Sequence, residues 1–193
     1  SFIWYPLVGF FFFLLNMLSH IDYDIKPLAN SVNNVSLIFH YTFLTIFILR
    51  QYENKKLSQL LIPLSFLILI PIITILVTND ISKNNRLAFS ISGFWLIVIC
   101  AGYYFGLLSA RQIIDLKFLP VFWIVTGVFF CMSLLIPLTL FLDISFNSED
   151  INWKKYFPRI GMICYGMMHI LFIKAYRVAE KEYLNNICIT QLN

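Results

Sequence analysis

The stretch Leu119-Pro-Val-Phe-Trp-Ile-Val-Thr-Gly-Val-Phe-Phe-Cys-Met-Ser-Leu-Leu-Ile-Pro-Leu-Thr-Leu-Phe-Leu142 decides the fold, because its 24 residues include no charged side chain. A helix rises about 1.5 Å per residue, so roughly 20 apolar residues cross a hydrocarbon core about 30 Å thick. The stretch is long enough to cross as a tilted helix. It predicts a membrane span, with Trp123 near one end and Pro137 near the other.

The composition of the whole chain also indicates that lipid is its main solvent. Of the 193 residues, 60% are hydrophobic and 12% are charged, and the mean hydropathy is +0.79. Soluble domains carry about 25% charged residues. A soluble core of this size could not bury so many apolar side chains. We predict a single transmembrane domain over 1–178 and a polar C-terminal tail over 179–193.

Apolar runs along the chain predict an all-α polytopic transmembrane bundle with short loops. Six runs are visible, at 2–19, 35–49, 57–77, 87–108, 119–142 and 157–178. The first lacks a basic leader and a small-x-small cleavage site, which favours a retained helix over a signal peptide. The second follows a predicted Asn-rich loop over 21–34 and is short for a span. Pro158 is predicted in the first turn of the sixth run.

The formal net charge of +4 predicts membrane orientation rather than a nucleic-acid partner, because the basic residues flank apolar runs. If residue 1 begins on the cytoplasmic side, eight of the 14 Lys and Arg residues are cytoplasmic, and so is the C-terminus. The four cysteines form no CxxC pair, so neither a disulfide framework nor a zinc knuckle is indicated. We predict no cofactor.

No Asp, Glu, Lys or Arg lies in the middle of any of the six runs. Pumps and ion-coupled transporters usually place an ionisable residue at membrane depth. The chain also has no visible internal repeat, which many transporters carry. These features favour a binding module over a transporter, and no catalytic residue is predicted.

Three histidines are the remaining candidates for chemistry. His20 is predicted at the outer mouth beside Asp22, and His40 about 8 Å down the second helix. His169 is predicted near mid-depth, with Tyr165 one turn away on the same face. A metal site of His20, His40 and Asp22 is a weak candidate, because no ligand spacing such as HExxH supports it. The alternative is that these histidines hydrogen-bond between helices.

The fifth run carries small and polar residues at helical spacing. We predict that this stripe faces the bundle: Trp123, Thr126, Gly127 and Ser133. Larger apolar side chains of the run are predicted to face lipid: Phe129, Leu135 and Leu138. The candidate seam for a ligand or partner therefore comprises His40, Trp123, Thr126, Gly127, Tyr165 and His169. Its alternative role is packing.

Gly102 and Gly106 form a small-xxx-small pair in the fourth run. Such pairs let two helices approach closely. We interpret this pair as packing within the bundle rather than as a dimer contact.

Three landmarks resemble a family of small, uncharacterised, multi-pass inner-membrane proteins from Bacteroidota-type bacteria. They are the segment His40-Tyr-Thr-Phe-Leu44, the beginning of the stretch Leu119–Leu142, and His169-Ile-Leu-Phe172. The similarity extends roughly from Asn33 to Tyr176. It implies about seven helices in the whole protein, with one before Phe2, and a role beside sensor kinases. It implies no particular activity.

The leading hypothesis is a non-catalytic membrane module, a sensor or accessory subunit that binds a partner membrane protein or a lipid-like ligand. One alternative is a lipid-modifying enzyme that uses His20, His40, His169 and Asp22 near the outer leaflet. A second alternative is a small-solute transporter. The expected partners are membrane lipids and either another membrane protein or a second copy of the chain, in the bacterial inner membrane.

Overall fold

The computed structural model describes residues 26–79, 85–109, 115–145 and 151–191, and side chains over 30–79, 85–109, 115–140 and 159–181. This part of the chain forms five α-helices and no strand. The helices are α1 (Lys26–Arg50), α2 (Lys55–Thr78), α3 (Arg86–Ser109), α4 (Pro120–Ser145) and α5 (Ile151–Gln191). A 3-10 turn at Leu116–Phe118 precedes α4.

Four helices of this bundle are long and apolar enough to cross a membrane. The candidate spans are Asn30–Arg50 in α1, Lys55–Thr78 in α2, Arg86–Ser109 in α3 and Pro120–Leu140 in α4. The predicted all-α class is therefore confirmed, and four of the predicted runs correspond to such helices. The run at 2–19 lies outside the described residues.

The predicted Asn-rich loop over 21–34 is wrong from residue 26 onward, because α1 begins at Lys26. Pro27 suits a first helical turn, where its missing N–H is not needed. The polar residues of this segment do not unfold it: Asn34 is buried, and Asn30, Ser31 and Asn34 all make polar or electrostatic contacts. The second apolar run is short for a membrane span, but α1 begins before it, and the candidate span Asn30–Arg50 is long enough to cross.

Pro158 is not in the first turn of its helix as predicted, because α5 begins at Ile151 and continues through it. As the eighth residue of α5, Pro158 lies beyond the four N-terminal positions whose N–H groups lack a helical partner, so it removes one backbone hydrogen bond from the helix. At the other end, the backbone of the predicted polar tail continues as helix to Gln191.

Sequential helices pack side by side in an antiparallel bundle. α4 makes its most extensive contacts with α5 and then with α3, and α3 also packs on α1 and α2. The turn between α1 and α2 is short, and the Asn54 side chain caps α2 by accepting a 3.2 Å hydrogen bond from the backbone N–H of Leu57. Such a cap satisfies one of the unpaired donors at a helix start.

The register between α4 and α5 is fixed by paired contacts along both helices. Lys174 lies over Trp123, and a Cβ on Gly161 would lie 3.8 Å from Leu135. This antiparallel pairing brings Pro120 about level with Tyr176. The 15 residues that follow in α5 therefore extend about 22 Å beyond the first residue of α4, at about 1.5 Å per residue.

The prediction that Leu135 faces lipid is wrong, because its side chain is only 3% exposed. Phe129 is half-buried and packs edge to face against Tyr104 of α3, with ring centroids 5.7 Å apart. Leu138 and Ser133 are also half-buried. α4 is apolar on every face and is covered by α3 on one side and α5 on the other. Its sequence therefore contains no periodicity that separates a lipid face from a packed face.

Candidate functional site

His40 lies in the middle of the α1 span, deeper than predicted. It is ten residues from Asn30, about 15 Å along the helix, because α1 begins earlier than the apolar run. Its Nδ1 atom is 2.7 Å from the carbonyl oxygen of Ser36 and 2.9 Å from the Ser36 hydroxyl. A carbonyl oxygen only accepts hydrogen bonds, so Nδ1 carries the proton and Nε2 is the acceptor of the neutral ring.

His169 presents buried polar atoms inside the bundle. Neither ring nitrogen has a hydrogen-bond partner among the described residues, and both are shielded from solvent. The backbone carbonyl of Tyr165, one turn earlier, is a nearby acceptor, but its contact with the ring falls outside the geometry of a regular hydrogen bond. The imidazole stacks on Phe172, with centroids 6.0 Å apart and planes 11° from parallel. Leaving a buried polar group unsatisfied costs about 1–3 kcal/mol.

The two histidines approach each other across the bundle. His40 on α1 and His169 on α5 are close enough to interact electrostatically. Tyr165, one turn before His169, lies near the thiols of Cys131 and Cys164. Tyr165 and His169 are four residues apart and therefore lie on the same face of α5.

The described residues contain no group of three or more His, Cys, Asp or Glu side chains that could hold a metal ion. His20 and Asp22, the other members of the weak metal candidate, lie outside the described residues. The metal site stays a prediction.

The α4 members of the predicted seam face different neighbours. Thr126 faces α3, where its hydroxyl accepts a 2.8 Å hydrogen bond from Tyr104 and donates to the Phe122 carbonyl. Gly127 faces α5, and an added Cβ would lie 3.3 Å from the Met168 carbonyl oxygen. Gly127 thus lets the two backbones approach closely. Thr126 and Gly127 therefore face different neighbouring helices.

Trp123 lies in the first turn of α4, where it is half-buried against the core. Its indole N–H donates a 3.1 Å hydrogen bond to the backbone carbonyl of Lys117. The ammonium group of Lys174 lies 3.3 Å from the centre of its ring. An ammonium over an indole face is attracted by the negative face of the ring.

The two glycines of α3 have different surroundings. A Cβ on Gly102 would collide with the hydroxyl of Tyr52, whereas a Cβ on Gly106 would meet nothing within 4 Å among the described atoms. The Tyr52 hydroxyl donates a 2.6 Å hydrogen bond to the carbonyl of Ile99. Burial, with a smaller effect from the nearby Cys100, raises the pKa of Tyr52 to about 12, so the donor proton is retained at neutral pH. Gly102 therefore makes room for the side chain that attaches the α1–α2 turn to α3.

A polar network between α1, α2 and α3 was not anticipated from the sequence. The Trp95 indole N–H donates a 2.9 Å hydrogen bond to the Ser65 hydroxyl, and the Tyr41 hydroxyl donates a 2.8 Å hydrogen bond to the Ser65 carbonyl. The sequence signal is a serine in the middle of an apolar run. Thr45, on the groove between α1 and α2, also has a buried hydroxyl with no partner among the described atoms.

Comparisons of the chain with known protein families, with curated proteins and with solved structures find no match.

Proposed function

We propose that the chain is a non-catalytic multi-pass membrane module, a sensor or accessory subunit, whose bundle binds a lipid-like ligand or a partner membrane protein. The observation that carries the proposal is His169, whose ring nitrogens are both buried and lack hydrogen-bond partners among the described residues. A ligand hydroxyl, ester or amide would relieve that deficit in surroundings that are otherwise apolar.

The second support is the chemistry around His169. His40 lies within electrostatic reach of His169, and its ring is oriented by Ser36. Phe172 supplies a flat apolar wall against His169. Ligand sites commonly combine mostly apolar linings with a few placed polar groups. Free ionised groups are absent from the middle of the apolar runs, which disfavours ion coupling.

The proposed topology has six spans in this chain. We assign α5 as a fifth span in addition to the four candidate spans, because it packs along α4 from Gly161 to Lys174, and α4 is itself long and apolar enough to cross. The run at 2–19 is the sixth. The family resemblance implies a seventh helix before Phe2 and location in a bacterial inner membrane. The weak excess of Lys and Arg supports a cytoplasmic C-terminus.

The test compares the full chain with a His169→Phe variant, purified in the same mild detergent. Mass spectrometry would identify and count the lipids and proteins that co-purify. We expect the variant to lose the ligand by about tenfold, equivalent to about 1.4 kcal/mol, because both polar ring atoms are removed. Its thermal stability should be equal or higher, since an unsatisfied buried group is replaced by an apolar ring.

The matched control is Tyr176→Phe, which removes one polar group from an exposed position on the same helix. It should retain the wild-type ligand content. Equal ligand loss in both variants, or a wild-type chain that carries neither lipid nor protein, would contradict the proposal.

The enzyme and transporter alternatives predict different results. An enzyme that uses His20, His40, His169 and Asp22 should carry a metal ion or lose lipid turnover in a His40→Ala variant. A transporter should give solute flux in proteoliposomes that depends on the protein.

A further inference from the structure

The end of the bundle where α4 begins carries a second cluster of chemically distinct groups, separate from the two histidines. Lys174 is five residues beyond His169 in α5, and its ammonium lies 3.3 Å from the centre of the Trp123 ring. Lys174 is exposed, and it has no carboxylate partner among the described residues. Tryptophan is enriched at the headgroup level of membranes.

The 3-10 turn beside Trp123 adds a second cation next to exposed apolar side chains. Leu116 and Phe118 are 38% and 64% exposed, and Lys117 lies between them. The Lys117 ammonium is 3.0 Å from the Asp115 carboxylate and 4.9 Å from the centre of the Phe118 ring. This is an exposed ion pair, so the carboxylate does not hold the lysine strongly.

The charges at this end favour an anionic ligand. Lys117, Lys174 and Arg177 are exposed, and Asp115 is the carboxylate next to them in the described part of the chain. Glu180 and Lys181 follow one turn further along α5 and offset each other. All of these groups lie near the level of Pro120, where the α4 span begins.

We propose that this cluster binds an anionic phospholipid. Lys174 and Lys117 contact the phosphate of the headgroup, and Phe118 and Leu116 contact the first part of the acyl chains. A free phosphate would use the lysines but gain nothing from the exposed apolar side chains, so the juxtaposition of cations and apolar surface favours the lipid.

The test uses the full chain in nanodiscs with equal amounts of phosphatidylglycerol and phosphatidylcholine. Native mass spectrometry would count the lipids that remain bound after release from the disc. We expect the wild type to retain phosphatidylglycerol over phosphatidylcholine by about fivefold or more. The double variant Lys117→Gln with Lys174→Gln should bring that ratio close to one, and Lys117→Gln alone should give an intermediate ratio.

The matched control is Lys55→Gln with Lys56→Gln. It removes two exposed lysines at the same end of the bundle, where the α1–α2 turn lies, and should leave the ratio unchanged. An equal fall in this control would overturn the proposal, because net charge alone would then set the preference. Displacement of phosphatidylglycerol by millimolar inorganic phosphate, or no preference in the wild type, would also overturn it.

The variant Lys174→Arg keeps the positive charge and should keep the preference for phosphatidylglycerol. A loss of the preference in the glutamine variants but not in this one would then result from the lost charge. The outcome is independent of the ligand at His169. A His169→Phe variant should show the wild-type phosphatidylglycerol preference even if it loses its own ligand.

Discussion

α2 and α4 are both candidate membrane spans, yet they differ in how much of each is buried. In the apolar window of α4, 44% of the residues are buried, compared with 17% in α2. Both helices contain proline in their interior. Apolar composition therefore decides which helices suit a membrane, but not which of them the other helices cover.

The difference follows from position in the bundle. α4 has α3 on one side and α5 on the other, so it packs on two faces. α2 meets the bundle through a narrow stripe of buried residues: Ser58, Ser65, Ile72 and Leu76. The other faces of α2 expose large apolar side chains, including Leu60, Leu67 and Val77. Lipid chains solvate such side chains as well as a protein core does.

The largest expected change in the free energy of unfolding comes from a substitution in the buried stripe of α2. Ile72 is 0% exposed, and Ile70 on the same helix is 64% exposed. We expect Ile72→Ala to lower the free energy of unfolding by about 3 kcal/mol, because a cavity forms inside the bundle. Ile70→Ala should change it by less than about 0.5 kcal/mol. Unfolding by SDS titration in mixed micelles measures both, and similar losses would show that α2 is covered on its outer face.

The next effect tests the close packing of α4. Gly127→Leu should lower the free energy of unfolding by about 2 kcal/mol, because even a Cβ would lie 3.3 Å from the backbone oxygen of Met168. Gly106→Leu is the control, since a Cβ there meets nothing within 4 Å among the described atoms. The same SDS titration applies. If Gly127→Leu were neutral, the α4–α5 contact would be looser than its geometry indicates.

The smallest effect tests the polar attachment of α2. Ser65→Ala removes the acceptor of the Trp95 indole N–H, and we expect a loss of about 1 kcal/mol. Thr74→Ala is the control, because the exposed Thr74 hydroxyl bonds only to the Ile70 carbonyl of its own helix. Tryptophan fluorescence during unfolding provides the measurement. A larger loss for Thr74 than for Ser65 would refute the role of the network.

The functional candidates are unevenly divided between these two regions. The α4–α5 pair carries the close contact at Gly127, the proposed lipid cluster at Lys174 and the proposed ligand atoms of His169. α2 contributes the Ser65 network, which has a structural explanation. The exposed faces of α2 are apolar and suit contact with lipid chains. On α5, the ring nitrogens of His169 are the polar atoms to which the proposed ligand would bind.

The sequence predicted the helices better than the residues that surround the site. The apolar runs identified α2, α3 and α4 because about 20 apolar residues in succession have few other stable uses. The start of α1 was predicted too late, since Asn30 and Asn34 were interpreted as loop residues although their contacts keep them in a helix. His40 and His169 are visible in the sequence as histidines within apolar runs. Their positions in the sequence do not predict that the two side chains interact electrostatically.

Composition and apolar runs are sufficient to predict the helices of the described residues and their suitability for a membrane. Only the tertiary structure decided that Leu135 is buried, that Thr126 faces α3 while Gly127 faces α5, and that Lys174 meets Trp123. The physical reason is that lipid and protein interior accept the same apolar side chains. Periodicity therefore cannot assign the faces of an apolar helix, and the register of its antiparallel neighbour must do so.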